Sequence, residues 1–403
     1  MSTRSKPIRN PADEDHDVWV LAGQSNMHGF GWLEGATSPD PRVWSFSSAG
    51  HWIRAEEPLH KLWESFTPVH QELLRRSMPE QDKQIDDAEW ARREDETRTR
   101  GAGLGLSFGK ALADAHGRAV GLIPAAHGGS SLGEWSPALR DLGGRSLYGA
   151  MLERISKAGG RLRGILWYQG ESDTLSSDLG RSYGRRLDEW IASVRRDIGI
   201  SDLPVIAVQI GRVIVPSDRV GVWRGWNLVQ EAIRTLPERV PNTAVTSAVD
   251  LSLADIIHVD TVGLIRLGKR LARLALVLTE GAAFPAGPVI ESTEIVKTPD
   301  GIRNAIRIEF AGLAGHWRAS AGLRGFDVRL DSPERHDPLY VVNAWVERES
   351  GNGNDVIVLL NREPDRDVPL SLAYGFGTNP ICELVDEADM PLCAYLWRPV
   401  GRA

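Results

Sequence analysis

The residues whose types and spacing could do chemistry are a serine near the start of the chain and an aspartate–histidine pair far along it. Ser25 lies where the apolar run Trp19-Val20-Leu21-Ala22 breaks at Gly23 into a polar turn, Gly23-Gln24-Ser25-Asn26-Met27-His28-Gly29. Asp255 precedes His258 by three residues, so one turn of chain can bring its carboxylate to the imidazole Nδ1. Such residues serve acyl transfer, which needs a nucleophile, a base to take its proton, a group to orient the base and donors for the oxyanion. Ser25 is the candidate nucleophile and His258 the candidate base. Asp255 would fix the imidazole tautomer and stabilise the imidazolium. The backbone N–H groups of Ser25 and of Gly128 or Gly129, with the side-chain amide of Gln169, are the candidate oxyanion donors. Gln24, Asn26, His127 and Glu171 are expected to line or support the pocket, Glu171 by accepting backbone N–H bonds around the Ser25 turn.

Each candidate has a plainer alternative. Ser25 could be only the N-cap of a following helix, and the turn is not a Gly-x-Ser-x-Gly elbow, because Met27 stands where the second glycine belongs. His28 and His127 could approach Ser25, but neither has an aspartate at the triad spacing. Ser130 and Ser131 are expected to bond the local backbone. Asp250 is expected at a strand end, outside the triad. Trp135, Trp167 and Tyr168 read as core, although Trp135 could line a sugar pocket. The glycine-rich stretch Gly101–Lys110 fits neither a dinucleotide fingerprint nor a phosphate loop, since Leu106, Leu104 and Ala111 occupy required positions. It reads as the approach to a helix packed close to a sheet.

The elements that must position these residues follow from the apolar pattern. Short apolar runs at Val18–Ala22, Ala119–Ala125, Gly164–Tyr168, Pro204–Ile210 and Thr243–Val249 read as buried strands. Helical segments lie between them, among them one carrying Tyr183, Leu187, Trp190, Ile191 and Val194 at helical spacing, and a last one over 261–279. Strands alternating with helices predict a doubly wound parallel sheet, whose chemistry sits outside the C-terminal strand ends. The polar clusters fall at those ends: Ser25 after the first strand, His127–Ser131 after the second, Gln169–Asp173 after the third, and Asp255 with His258 after the last. Residues 29–79 show little periodicity and read as surface connections. The charged stretch 80–100 reads as a solvated helix or insert.

The pattern changes near Phe284-Pro285-Ala286-Gly287-Pro288. Beyond it, short strands separated by Gly, Asn, Asp and Pro predict an antiparallel β-sandwich. The expected organisation is a flexible tail over 1–16, an α/β domain over 17–283 and the sandwich over 284–403. So short a connection predicts that the two domains pack together.

Composition narrows the class. The 403 residues carry 47 Lys and Arg against 54 Asp and Glu, a net charge of −7, which argues against a dedicated nucleic-acid binder. No stretch approaches the ~20 apolar residues of a membrane span. The polar N-terminus lacks the apolar region of a signal peptide, so the expected compartment is the cytoplasm. Cys382 and Cys393, the two cysteines, are expected as packed thiols. Oligomers remain compatible with the sequence.

Taken together, Gly23-Gln24-Ser25-Asn26-Met27, the Gly128-Gly129-Ser130 turn, Trp167-Tyr168-Gln169-Gly170-Glu171-Ser172-Asp173 and Asp255-x-x-His258 resemble the blocks of the SGNH-hydrolase superfamily. Their wording is similar to the sialate O-acetylesterase and acetylxylan-esterase branch, carbohydrate esterase family six. The segment Ala373-Tyr374-Gly375-Phe376 with Asn379-Pro380, then Met390-Pro391-Leu392, resembles the C-terminal β-domain of sialate O-acetylesterases. The resemblance implies a serine esterase on a flavodoxin-like sheet, with no metal or cofactor, acting on an acetylated carbohydrate. His127 departs from it, standing where a small residue is expected. The alternatives are an esterase or thioesterase for another small acyl substrate, or a noncatalytic glycan-binding protein.

Overall fold

The computed structural model describes residues 16–216, 221–298, 301–319, 321–331, 338–349, 353–364 and 367–402. The tail expected over 1–16 lies outside the described residues except for His16. The first strand, β1 (Asp17–Gly23), runs into a single-turn helix, α1 (Ser25–His28). Then come β2 (Gly31–Trp32), β3 (Val43–Phe46), β4 (Trp52–Arg54), α2 (Pro68–Ser77), α3 (Asp87–Thr97), β5 (Arg100–Ala102) and α4 (Gly105–His116). After these come β6 (Val120–Pro124), α5 (Leu147–Ala158), β7 (Arg161–Tyr168), α6 (Ser177–Ile198) and β8 (Val205–Gln209). The α/β part ends with α7 (Trp226–Arg234), α8 (Leu236–Arg239), β9 (Thr243–Ser247) and α9 (Thr261–Glu280).

The main sheet has the order β4-β3-β6-β1-β7-β8-β9, parallel throughout except for the edge pair β3–β4. β1 is central, with β6 on one side and β7 on the other. The chain therefore reverses its winding direction at β1, the point where α/β sheets open a crevice at their C-terminal edge. All seven residues of β1 are buried, as an unbroken apolar run covered on both faces requires. The stripe Tyr183, Leu187, Trp190, Ile191 and Val194 of α6 is likewise fully buried. A truncation such as Leu21→Ala there would cost about 2–5 kcal/mol.

Two sequence expectations change. Residues 29–79 are not only connections, for they contribute β3 and β4 to the main sheet together with α2. Strands of four and three residues are too short to show a period of two. The charged stretch does form a helix, α3, laced with surface ion pairs such as Arg93–Glu89 at 2.7 Å and Arg92–Glu89 at 2.9 Å. It delivers the chain into β5, which pairs with β2 in a separate two-stranded ribbon.

Beyond α9 the strands are β10 (Val289–Lys297), β11 (Asn304–Ala311), β12 (Phe326–Leu330), β13 (Val341–Glu347), β14 (Asp355–Leu360), β15 (Leu370–Tyr374), β16 (Tyr395–Pro399) and β17 (Gly401–Arg402). They form a sandwich of a five-stranded sheet, β13-β14-β11-β10-β17, and a three-stranded sheet, β12-β15-β16, around a second core. The sandwich is docked on the α/β part by buried polar contacts. The Gln209 side-chain amide donates to Ala394 O and its carbonyl accepts from Ala394 N, both at 2.8 Å. Fully buried Arg270 bonds Asp250 at 2.7 Å and donates to Asp389 O at 2.6 Å. Both cysteines are free thiols.

Candidate active site

Gly23 ends β1 at φ 139°, and a Cβ there would stand 2.1 Å from Tyr168 O, so only glycine lets the Ser25 turn lie this close to β7. The turn is fixed by Gln24 N donating to Tyr168 O at 2.9 Å and by His28 N donating to Gln24 O at 2.8 Å. Ser25 opens α1 and is buried, at 8% exposure. Its N–H belongs to the first helical turn, where backbone donors have no intrahelical acceptor. The hydroxyl of Ser25 carries no hydrogen bond among the described residues, so the serine–imidazole contact is open in this resting arrangement. Catalytic hydrogen bonds often close only when substrate is bound.

The candidate base and its candidate orienting acid are already joined. Asp255 accepts from His258 Nδ1 at 2.8 Å through Oδ2 and at 3.0 Å through Oδ1. Oδ1 also accepts the backbone N–H groups of Ile257 at 3.0 Å and His258 at 2.9 Å. Burial alone would raise the Asp255 carboxyl; these donors and the imidazole outweigh it and hold the group at about 2. The Phe30 ring stacks on the His258 ring, centroids 4.2 Å apart.

Asn26 clamps this pair to the Ser25 turn. Its Oδ1 accepts the Val259 N–H at 3.0 Å, and its Nδ2 donates to Ile257 O at 3.4 Å and to Glu171 Oε1 at 2.7 Å. The residue next to Ser25 thus grips the backbone on both sides of His258. Glu171 is buried, which pushes its carboxyl up to about 7 against the opposing bond from Asn26. It supports the site through a side-chain amide of the Ser25 turn, rather than through the backbone N–H groups the sequence suggested.

The Gln169 side-chain amide, expected as an oxyanion donor, is committed to protein acceptors in this structure. Its Nε2 is fully buried and faces three acceptors: Gln24 Oε1 at 3.2 Å, Ser130 O at 3.1 Å and Asp173 Oδ2 at 2.8 Å. Two N–H bonds cannot serve these and a substrate as well. Gln24 supports the turn, its Oε1 also accepting from Gly170 N at 3.3 Å and Ser172 N at 3.2 Å. Gly128 and Gly129 remain available, since neither amide donates to another group among the described residues. Gly129 adopts φ 74°, and a Cβ on Gly128 would lie 3.6 Å from both His28 Nδ1 and the Phe30 ring.

The other candidates are structural. His127 is buried and shares an Nδ1–Nδ1 hydrogen bond of 3.1 Å with His70, one ring donating and the other accepting. Ser130 Oγ donates to His127 O at 2.8 Å and accepts from Trp135 Nε1 at 3.0 Å. Trp135 is fully buried against Trp167 and lines no sugar pocket. Asp250 pairs with Arg270 and Arg266, away from His258. Sequence reasoning missed Phe30, His60, His70 and Arg100. Arg100 Nη1 donates to Asp255 Oδ2 at 3.0 Å; nothing in its charged surroundings distinguishes it from its neighbours. Among the described residues no group of His, Cys, Asp and Glu is arranged to hold a metal ion, and no helix is long and apolar enough to cross a membrane.

A flavodoxin-like sheet with a serine turn after its central strand and an Asp-x-x-His loop before its last helix defines an SGNH-type hydrolase. The chain belongs to the carbohydrate esterase family described as sialic acid-specific acetylesterases, whose family model matches residues 15–277. It is 28% identical over 283 residues to a probable carbohydrate esterase of Arabidopsis thaliana, a match covering 65% of this chain and 90% of that protein. In fold it is similar to a carbohydrate acetylesterase of Xanthomonas citri, with a TM-score of 0.64 and 19% identity over 94% of this chain and 80% of that one.

Proposed function

We propose that this chain is a serine esterase that removes O-acetyl groups from a carbohydrate, of the sialic acid or xylan type, through a Ser25–His258–Asp255 acyl-enzyme mechanism. The observation that carries the reading is the 2.8 Å bond from His258 Nδ1 to Asp255. It leaves Nε2 as the basic nitrogen of an imidazole that Asn26 clamps to the serine turn. In acylation, Nε2 takes the Ser25 proton as Oγ bonds the acetyl carbon. The ester C–O bond then breaks, and the sugar oxygen leaves with the proton from His258. In deacylation, water gives its proton to Nε2 and attacks the acetyl-serine; acetate departs and Ser25 regains its proton. The N–H groups of Ser25 and of Gly128 or Gly129 support the oxyanion of each tetrahedral intermediate, each donor contributing about 100- to 1,000-fold in rate.

The test is acetate release from O-acetylated sialic acids, acetylated xylan oligomers and p-nitrophenyl acetate, with intact-protein mass spectrometry to detect acetyl-Ser25. Activity on an acetylated sugar that Ser25→Ala abolishes is the expected result. Retention of most activity by Ser25→Ala would overturn the nucleophile assignment, and activity on simple esters alone would overturn the carbohydrate assignment.

A further inference from the structure

We infer that Arg100 is a positioning residue of this site: by sharing the Asp255 carboxylate with His258 it fixes that carboxylate and lowers the affinity of the imidazole for a proton. The inference rests on the Ser25–His258–Asp255 reading and extends it to a residue outside the triad. Oδ2 of Asp255 receives His258 Nδ1 at 2.8 Å and Arg100 Nη1 at 3.0 Å, while Oδ1 is occupied by the Ile257 and His258 N–H groups. Without Arg100, Oδ2 would keep the imidazole as its one protein donor among the described residues, and its other lone pair would face water.

Arg100 is itself held in place. It lies opposite Trp32 in the β2–β5 ribbon, and its guanidinium sits 4.2 Å over the Trp32 ring. Thr261 Oγ1, at the first residue of α9, donates to Trp32 O at 2.8 Å. The ribbon is thereby tied to the helix that follows His258. A planar guanidinium can stack on the indole and bond the carboxylate at once, which an ammonium cannot do.

Other groups around the imidazole do not duplicate this charge. Phe30, on the ring face, is uncharged. His28, edge-on to Phe30 at 5.6 Å, is kept neutral by burial. Glu171 reaches the loop only through Asn26, and Asp260 spends its carboxylate on Gly263 N at 2.7 Å. Among the described residues Arg100 makes the one ion pair to Asp255 from outside the catalytic loop. A fixed positive charge on the carboxylate weakens its pull on a proton at His258. The Arg100 and Asp255 side chains are 31% and 32% exposed, so solvent screens part of the effect.

The experiment compares wild type, Arg100→Gln and Arg100→Lys by kcat/KM against pH with p-nitrophenyl acetate. In parallel, ¹³C-histidine NMR titrates His258, its resonance identified by its loss in His258→Ala. Arg100→Gln should move both the acid limb and the His258 titration to higher pH, and Arg100→Lys should recover part of that shift. A kcat loss in Arg100→Gln with limb and titration unmoved would overturn the inference, leaving Arg100 a structural residue. If Arg100→Gln does not fold, Arg100→Met carries the same comparison. A wild type that hydrolyses no ester defeats the esterase reading instead, and the NMR arm still tests the action of Arg100 on His258.

Discussion

Acid should destabilise this protein through histidines that the proposed chemistry does not use. His28, His60, His70 and His127 are all buried. His70 and His127 are hydrogen-bonded, and the His28 and His60 rings lie 5.5 Å apart. Fully buried Arg154 donates to Phe46 O at 2.8 Å and Ser47 O at 3.0 Å, adding a positive charge that disfavours another nearby. Burial holds His127 down at about 4 and, with Arg154 as the next cause, His60 at about 3; His28 and His70 are lowered well below the usual value. In the unfolded chain all four would titrate near ~6.5. As pH falls below that value the unfolded state takes up protons that the native state refuses, so stability falls, by about 1.4 kcal/mol per pH unit for each histidine.

Two buried carboxyls act in the opposite sense. Burial raises Glu57 and Glu171 to about 7, so between about 7 and the ~4.3 of an unfolded glutamate the native state holds the extra proton. Four histidines against two carboxyls leave a net loss on the order of 3 kcal/mol between pH 6.5 and pH 5. That is a large part of the roughly 5–15 kcal/mol of a typical domain. The assay is urea unfolding at pH 7.5, 6.5, 5.75 and 5 for wild type and His127→Asn. Wild type should lose stability steadily below 6.5, and the variant should lose about 1.4 kcal/mol less per pH unit. A wild-type midpoint that is flat to pH 5, or a variant slope equal to wild type, would refute the linkage.

Other outcomes follow from the same contacts. Ser25→Ala and His258→Ala should each bring turnover near background, and the double variant should be little worse, because the members act as a unit; additive losses in kcat would separate them. Asn26→Ala leaves the Val259 N–H and the Glu171 carboxyl without their partner, at a cost of about 1–3 kcal/mol. Its kcat should fall roughly 10- to 100-fold with little change in KM, and an unchanged kcat would show that the clamp does not position His258. Expression of residues 1–283 alone should give an aggregating or less thermostable protein, since Gln209 and Arg270 lose their partners Ala394 and Asp389; a soluble, equally stable and fully active fragment would show that docking is dispensable.

The parts of this molecule legible in its sequence are those whose physics is local. The strand at Val18–Ala22 and the α6 stripe could be read because apolar periodicity reports burial directly. The Asp255–His258 pair could be read because three residues of chain fix its geometry. The partners of the Gln169 amide were not legible, because the fate of a side-chain amide depends on acceptors far away in sequence: Gln24 precedes it by 145 positions and Ser130 by 39. The same holds for Arg100, which meets Asp255 across 155 positions and opens β5 just after a helix of solvated charges. β3 and β4 were lost because strands so short carry too little pattern to distinguish them from connections.

The Asp255–His258 loop is held by its own internal bonds and, from outside, by three separate approaches. Asn26 grips it from the nucleophile turn, and Arg100 grips the carboxylate from the β2–β5 ribbon. The third comes from the segment after β8, where Ile214 N donates to Ile256 O at 2.8 Å. That segment is in turn bonded to the sandwich, by Val213 N donating to Thr378 O at 2.7 Å and Arg212 donating to Asn379 Oδ1 at 2.9 Å. The C-terminal sandwich contributes none of the proposed catalytic residues, yet it lies two hydrogen bonds from the loop that carries the base. A loop over a crevice is easily displaced, and a misplacement near 1 Å can cost about a hundredfold in rate. Anchoring from three elements distant in sequence makes the position of His258 a property of the whole fold, with the sandwich as one of its supports.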